Sequence, residues 1–129
     1  MTDFAGTVVL RERGLYEAVD HHEPGIQVPR RGTPFWETKG DFDWRFRITF
    51  DAQGAGPFAV EIWAANGPNV PDACVASVML PENSAGEVFG IVSADNLRII
   101  PTASPLFLSC KLRVGGGQLD AGVELVRAN

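Results

Sequence analysis

Residues 41–65 read DFDWRFRITFDAQGAGPFAVEIWAA, and their alternation decides the fold. Phe42, Trp44, Phe46, Ile48 and Phe50 take every second place, with Asp43, Arg45, Arg47 and Thr49 between them. A period of two over so long a run marks a strand with one face in a core and one in water. Residues 51–57 form a glycine-containing turn. Phe58, Val60, Ile62 and Ala64 then alternate with Ala59, Glu61 and Trp63. The two runs are predicted to pair as a hairpin about Gly54. Core must meet core, because a slip of one residue inverts a face. Phe50 therefore faces Phe58, Ile48 faces Val60 and Phe46 faces Ile62. On the polar side Arg47 faces Glu61 and Arg45 faces Trp63.

The same reading extends in both directions. Cys74, Ala76, Val78 and Leu80 give the next inward face, closed by a turn over 81–86. Residues 87–92 and 97–100 read as two short strands. Leu106, Leu108, Cys110, Leu112 and Val114 alternate with Phe107, Ser109, Lys111 and Arg113. Gly115-Gly116-Gly117 is a hairpin signal; a two-residue Gly115-Gly116 turn would set Leu112 opposite Leu119. Leu119, Ala121, Val123 and Leu125 then point inward. Toward the N-terminus, residues 5–13 give a weak strand, and 15–19 a second short strand or a turn of helix. Residues 23–40 carry Pro24, Pro29, Pro34, Gly25, Gly32 and Gly40 and are expected to lack regular structure. A run of that length in a small domain is often functional. Seven or eight strands at 8–15-residue spacing, with no long amphipathic helix, predict an all-β, antiparallel β-sandwich over 1–129 with a long irregular N-terminal arm. Strand spacing does not distinguish Greek-key from jelly-roll connectivity.

Composition narrows the function. The 129 residues suit one domain, and 45% apolar with 21% charged residues suits a globular one. The net charge of −5 argues against a nucleic-acid binder. No run approaches the ~18 apolar residues of a membrane span. Met1-Thr2-Asp3-Phe4 lacks the basic start of a secretory signal, so a cytoplasmic setting with reduced thiols is expected. Cys74 and Cys110 share the phase of their Leu and Val neighbours and are predicted to be buried small hydrophobes.

Little chemistry is legible. His21-His22-Glu23 is the one histidine cluster, but neighbours on a strand point to opposite faces and zinc needs three or four ligands. Asp41, Asp43 and Asp51 lack calcium-loop spacing and read as solvated carboxylates. No serine sits in a nucleophile turn. The chain is expected to be non-enzymatic, with no cofactor and no metal. Its aromatic and arginine residues say more. Arg30-Arg31 and Phe35-Trp36 in the 23–40 arm, together with Arg45 and Trp63 on the hairpin face, are the candidate interface residues. Arginine suits carboxylates, and buried aromatics anchor contacts.

Residues 45–125 resemble the small jelly-roll cement (decoration) proteins of tailed-bacteriophage capsids. The likeness lies in FRITFDAQGAGPFAVEIWAANG, SVMLPENSAGEVFGIVSADNLRII and the closing PLFLSCKLRVGGGQLDAGVELV. The resemblance implies a jelly-roll sandwich that binds the outside of a capsid as a homotrimer. Its partners would be its own copies and the major capsid protein, with no nucleic acid and no membrane. It would be made in the host cytoplasm and end on the virion exterior. A carbohydrate- or ligand-binding β-sandwich, with Trp63 as a platform, is the alternative.

Overall fold

The computed structural model describes residues 7–30, 41–69 and 73–128. The strands are β1 (Val8–Glu17), β2 (Asp20–His22), β3 (Ile26–Val28), β4 (Trp44–Gln53), β5 (Phe58–Ala65), β6 (Ala73–Leu80), β7 (Ser84–Val92), β8 (Leu106–Val114) and β9 (Gln118–Ala128). One short 3₁₀ helix, Asp95–Ile99, lies between β7 and β8. The strands form two antiparallel sheets, ordered β1-β9-β4-β7 and β2-β8-β5-β6, with β3 also on β8.

The connectivity is that of a rolled hairpin. β2 and β3 lie end to end along the outer side of β8, so they act as one interrupted strand. Counted so, the described residues form eight strands, and the first pairs with the eighth, the second with the seventh, the third with the sixth and the fourth with the fifth. A long hairpin folded once and wrapped on itself has this pattern, which is the jelly roll. Among consecutive strands in the paired set only β5 and β6 are direct neighbours.

This overturns both predicted hairpins. β4 and β5 lie in opposite sheets, as do β8 and β9. Phe50 pairs with Ala121 and Gly86, while Phe58 pairs with Leu80 and Val114. Leu112 pairs with Val60 and His21, not with Leu119. The inward phases are nevertheless those expected: Phe46, Ile48, Phe58, Val60, Ile62, Leu108, Leu112, Leu119 and Val123 are all fully buried. The two strand pairs meet through their inner faces across the sandwich. Fully burying each such side chain contributes about 1.5–3 kcal/mol.

The two crossings run side by side. Gly56 N–H donates to the Gly116 carbonyl (3.0 Å), and Gly115 N–H donates to the Pro57 carbonyl (2.9 Å). Gly117 has φ +90° and sits against the Gln53 carbonyl and Gly54, where a Cβ would collide with backbone. Asn83, itself at φ 47°, accepts from Gly54 N–H at 2.9 Å and ties the β6–β7 turn to the same corner.

Three further expectations change. Residues 97–100 are no strand: Asn96, Leu97 and Ile100 N–H groups each bond the carbonyl three residues back, and Asp43 Oδ1 accepts from Ala94 N–H at 2.6 Å. Part of the expected irregular arm, Ile26–Val28, pairs with β8. Cys74 is exposed, because the β5–β6 register shifts between Ile62 and Trp63. That bulge turns Val75 inward and Cys74 outward. Cys110 is buried as predicted.

Gly117→Val is expected to destabilise the fold by at least about 2 kcal/mol, through a backbone collision and a φ that β-branched residues resist. Gly67→Ala, where nothing lies within 4 Å, should change little. Urea melts of both variants check the contrast.

Candidate interaction surface

The sandwich presents two outer sheet faces, and they differ in the side chains they carry. On the second sheet, outward residues of β2, β5 and β8 form one linked array. Glu61 Oε2 accepts from Arg113 Nε at 2.6 Å, and its Oε1 accepts from Trp63 Nε1 at 3.0 Å. Arg113 also reaches Asp20 at 3.1 Å, and Lys111 lies 3.7 Å from the same carboxylate. His22 Nε2 bonds Ser109 Oγ at 2.9 Å, and its ring lies 5.8 Å from that of Trp63. The Lys111 ammonium stands 5.9 Å from the Trp63 centroid.

Electrostatics follow from these contacts. Burial pushes the Glu61 carboxyl up, but the hydrogen bonds from Arg113 and Trp63 outweigh it and hold the group below its ordinary range. His22 is pushed down by burial and by the Lys111 and Arg11 charges, so its ring favours the neutral form. Trp63 is thus half-buried and its N–H is used within the chain. It remains a platform edge, no longer the bare plate expected from its phase. Next to it, His22, Pro24, Gly25, Pro68, Phe107 and Ser109 line an open cleft of about 250 Å³.

The first sheet's outer face has ion pairs of its own, with Arg13 Nε donating to Asp120 Oδ1 at 2.6 Å and Arg47 Nε 3.9 Å from Glu87. Arg47 Nη2 reaches both Glu124 oxygens at 3.1 and 3.2 Å. Arg45, exposed on β4, lays its guanidinium 4.5 Å from the Phe89 centroid. The predicted partners of Arg45 and Arg47, Trp63 and Glu61, lie in the other sheet. Phe89 and Ile91 on β7 are 46% and 67% exposed, so this face carries large apolar side chains beside arginines. Sequence reading missed them, because β7 carries small residues on its inward phase and its bulky apolar ones on the outward phase. Its inward places opposite Phe46 and Phe50 are Gly90 and Gly86. At Gly90 a Cβ would strike the Phe46 ring. The Phe46 ring claims that space, and the apolar bulk of β7 points outward.

Arg30 is a correction to the candidate set. It is 2% exposed, and so cannot reach a neighbouring chain. Nε and Nη2 donate to Asp41 Oδ1 and Oδ2 at 2.7 and 2.9 Å, and the remaining N–H groups reach the carbonyls of Ile100, Pro101 and Ser104. Those five bonds equal the donor capacity of a guanidinium. The pair closes the base of the stretch between residues 30 and 41. Arg31, Phe35 and Trp36 lie outside the described residues. A second buried arginine, Arg11, sits at a β1 bulge, with its guanidinium 4.6 Å from the Tyr16 centroid and Nη2 donating to the His21 carbonyl at 2.7 Å. Glu23 stands 3.3 Å from its Nη1.

Among the described residues no group of three or more His, Cys, Asp and Glu is placed to hold a metal ion. No helix among them is long and apolar enough to cross a membrane.

No family model matches the chain, and neither does any curated protein. Among solved structures it is similar to a chain in the structure of infectious bursal disease virus, Gx strain, with a TM-score of 0.55 at 6% identity. The match covers 98% of this chain and 32% of that one, so this chain spans about a third of that chain's length. Likeness at this identity establishes a shared fold, the jelly roll reached above from strand pairing. It does not single out the phage cement proteins.

Two outcomes follow from the buried groups. Arg30→Met should cost about 3–5 kcal/mol, because it strands the Asp41 carboxylate, whose side chain is 1% exposed. The double change Arg30→Met/Asp41→Leu should cost markedly less than the sum of the single changes, as a double-mutant cycle in urea would report. For the thiols, burial pushes Cys110 up to about 12. Cys74 is exposed on β6. A thiol reagent at pH 8 should therefore modify Cys74 alone in the native protein, and both in denaturant, by mass spectrometry.

Proposed function

We propose that this chain is a structural, non-enzymatic component of a virus particle, and that it acts there as a decoration subunit on the outer capsid surface. The observation that carries the reading is the rolled-hairpin jelly roll, shared over 98% of the chain with a chain of a virus structure. The surface supports it. The first outer face carries Arg45 over the Phe89 ring and the second carries Trp63 with Lys111 beside it, and aromatic residues and arginine are enriched where proteins meet. The proposed partners are the major capsid protein and two further copies of this chain in a homotrimer. Three linked sites raise avidity by about 10²–10⁴-fold over one, so each contact with the capsid can be weak.

Mixing the purified chain with particles assembled from a major capsid protein of the same genome tests this reading. The chain should sediment with the particles in saturable amounts and raise the temperature at which they come apart. A chain left in the supernatant at every concentration would overturn it. A carbohydrate-binding role is the second reading, favoured by the cleft that Phe107, Pro68, His22 and Ser109 line. A glycan array would support that role by binding that Phe107→Ala removes.

A further inference from the structure

Each sheet has two edge strands, and an edge is a template for another chain unless something blocks it. Three of the four edges are blocked. β1 carries two register shifts against β9 and the charges of Arg11, Glu12, Arg13 and Glu17. The β2–β3 edge consists of two three-residue pieces separated by Glu23, Pro24 and Gly25. β6 is bulged at its start, and the 3₁₀ helix lies on it, with Asn96 Nδ2 donating to the Val75 carbonyl at 3.3 Å.

β7 has none of these devices among the described residues. It keeps one unbroken register with β4 over nine pairs, from Trp44 with Val92 to Ala52 with Ser84. Its sequence SAGEVFGIV has no proline and no lysine, and Glu87 is its one charge. Phe89 and Ile91 project from it into solvent.

We propose that β7 pairs antiparallel with β7 of a second copy, about a two-fold axis at Phe89, and joins the two four-stranded sheets into one of eight. Charge selects this occupant and this register. On the outer face, Ile91 lies in line with Arg45, and Arg45 with Arg127. That end of the strand is therefore basic, while the half-exposed Glu87 marks the other end, its carboxylate 3.9 Å from Arg47 Nε of the same chain. Two-fold pairing reverses one strand on the other, so the acidic end of each copy meets the basic end of its mate. Glu87 of one copy then stands opposite Ile91 of the other, two strand spacings, about 10 Å, from its Arg45 at the backbone. Long side chains close that gap, and symmetry makes the contact twice. The two Phe89 rings meet at the axis. This contact is separate from the three-fold association proposed above, and both together would give a dimer of trimers.

Light scattering and sedimentation of the full chain test the pairing. An even-numbered species is expected, a dimer or a hexamer. Phe89→Lys and Glu87→Arg should each weaken the pairing at least tenfold with an unchanged circular dichroism spectrum. Arg45→Glu combined with Glu87→Arg should restore it. Amide hydrogen exchange of the unaltered chain provides a second reading, with β7 amides becoming protected as concentration rises. A monomer or trimer at every concentration, with β7 amides that exchange equally fast throughout, would overturn the proposal. So would protection of β7 that appears only when capsid protein is added, since that assigns the edge to a different partner. A chain that pairs through β7 yet ignores particles would sink the capsid reading and leave this one standing.

Discussion

The corner where β4 passes to β5 and β8 passes to β9 is the constraint on which the rest of the molecule depends. β4 and β9 are the two inner strands of one sheet, and β5 and β8 are the two inner strands of the other. All four pass through residues 53–57 and 115–117, which are joined by two reciprocal backbone hydrogen bonds. The sheets are therefore coupled by covalent chain and by hydrogen bonding at one place, and the core between them is sandwiched from that place outward. Only glycine tolerates the approach, because Gly117 lies with positive φ directly against the Gln53 carbonyl. The inner faces of the four strands then meet in the order that this corner sets.

The corner also explains what could be read from the sequence and what could not. Alternation reports which way a side chain points, and that reading holds on β4, β5, β8 and β9, where every predicted inward residue is buried. It holds because each of these strands has a neighbour on both sides and one face on the core. Alternation does not report which strand lies alongside. A glycine-rich link of a few residues is equally suited to a hairpin and to a step between sheets, so residues 51–57 and 115–117 look like hairpin turns. The partner of β4 is chosen by the roll of the whole chain, across up to about 80 residues of sequence. Edge strands break the phase rule for a local reason. One extra residue in β6 sends Cys74 outward, and Gly90 on β7 yields its inward space to the Phe46 ring.

The candidate residues divide along the same line. Arg45 stands exposed on β4, where alternation placed it, whereas Arg30 came from a stretch whose prolines and glycines suggested a free arm. No periodic signal connects Arg30 to Asp41, because the link is an ion pair closed across residues whose spacing carries no pattern. Its guanidinium gathers three carbonyls of residues 100–104 along with the carboxylate. The pair thus holds the entrance to β4 and the entrance to β8 together, at the start of the two strands that run to the corner. Arg11 does comparable work at a β1 bulge, where two successive residues turn inward and one of them is charged. Buried arginines of this kind look like surface residues until the fold is known.

A jelly roll leaves its outer strands open, and the energetic consequence differs from edge to edge. The second sheet pairs its outward polar groups among themselves, through Glu61, Arg113, Asp20, Lys111 and His22. The first sheet has an apolar row on β7 with arginines along one side. Keeping such a row in water costs hydrophobic free energy that a contact would recover, and keeping the edge unpaired invites any extended strand. The space that Gly90 cedes to Phe46 connects these facts. The same packing that fills the core beneath β4 places the bulk of β7 on the surface. Core and contact surface are therefore two faces of one strand, and substitutions that enlarge the inward side of β7 should disturb both together.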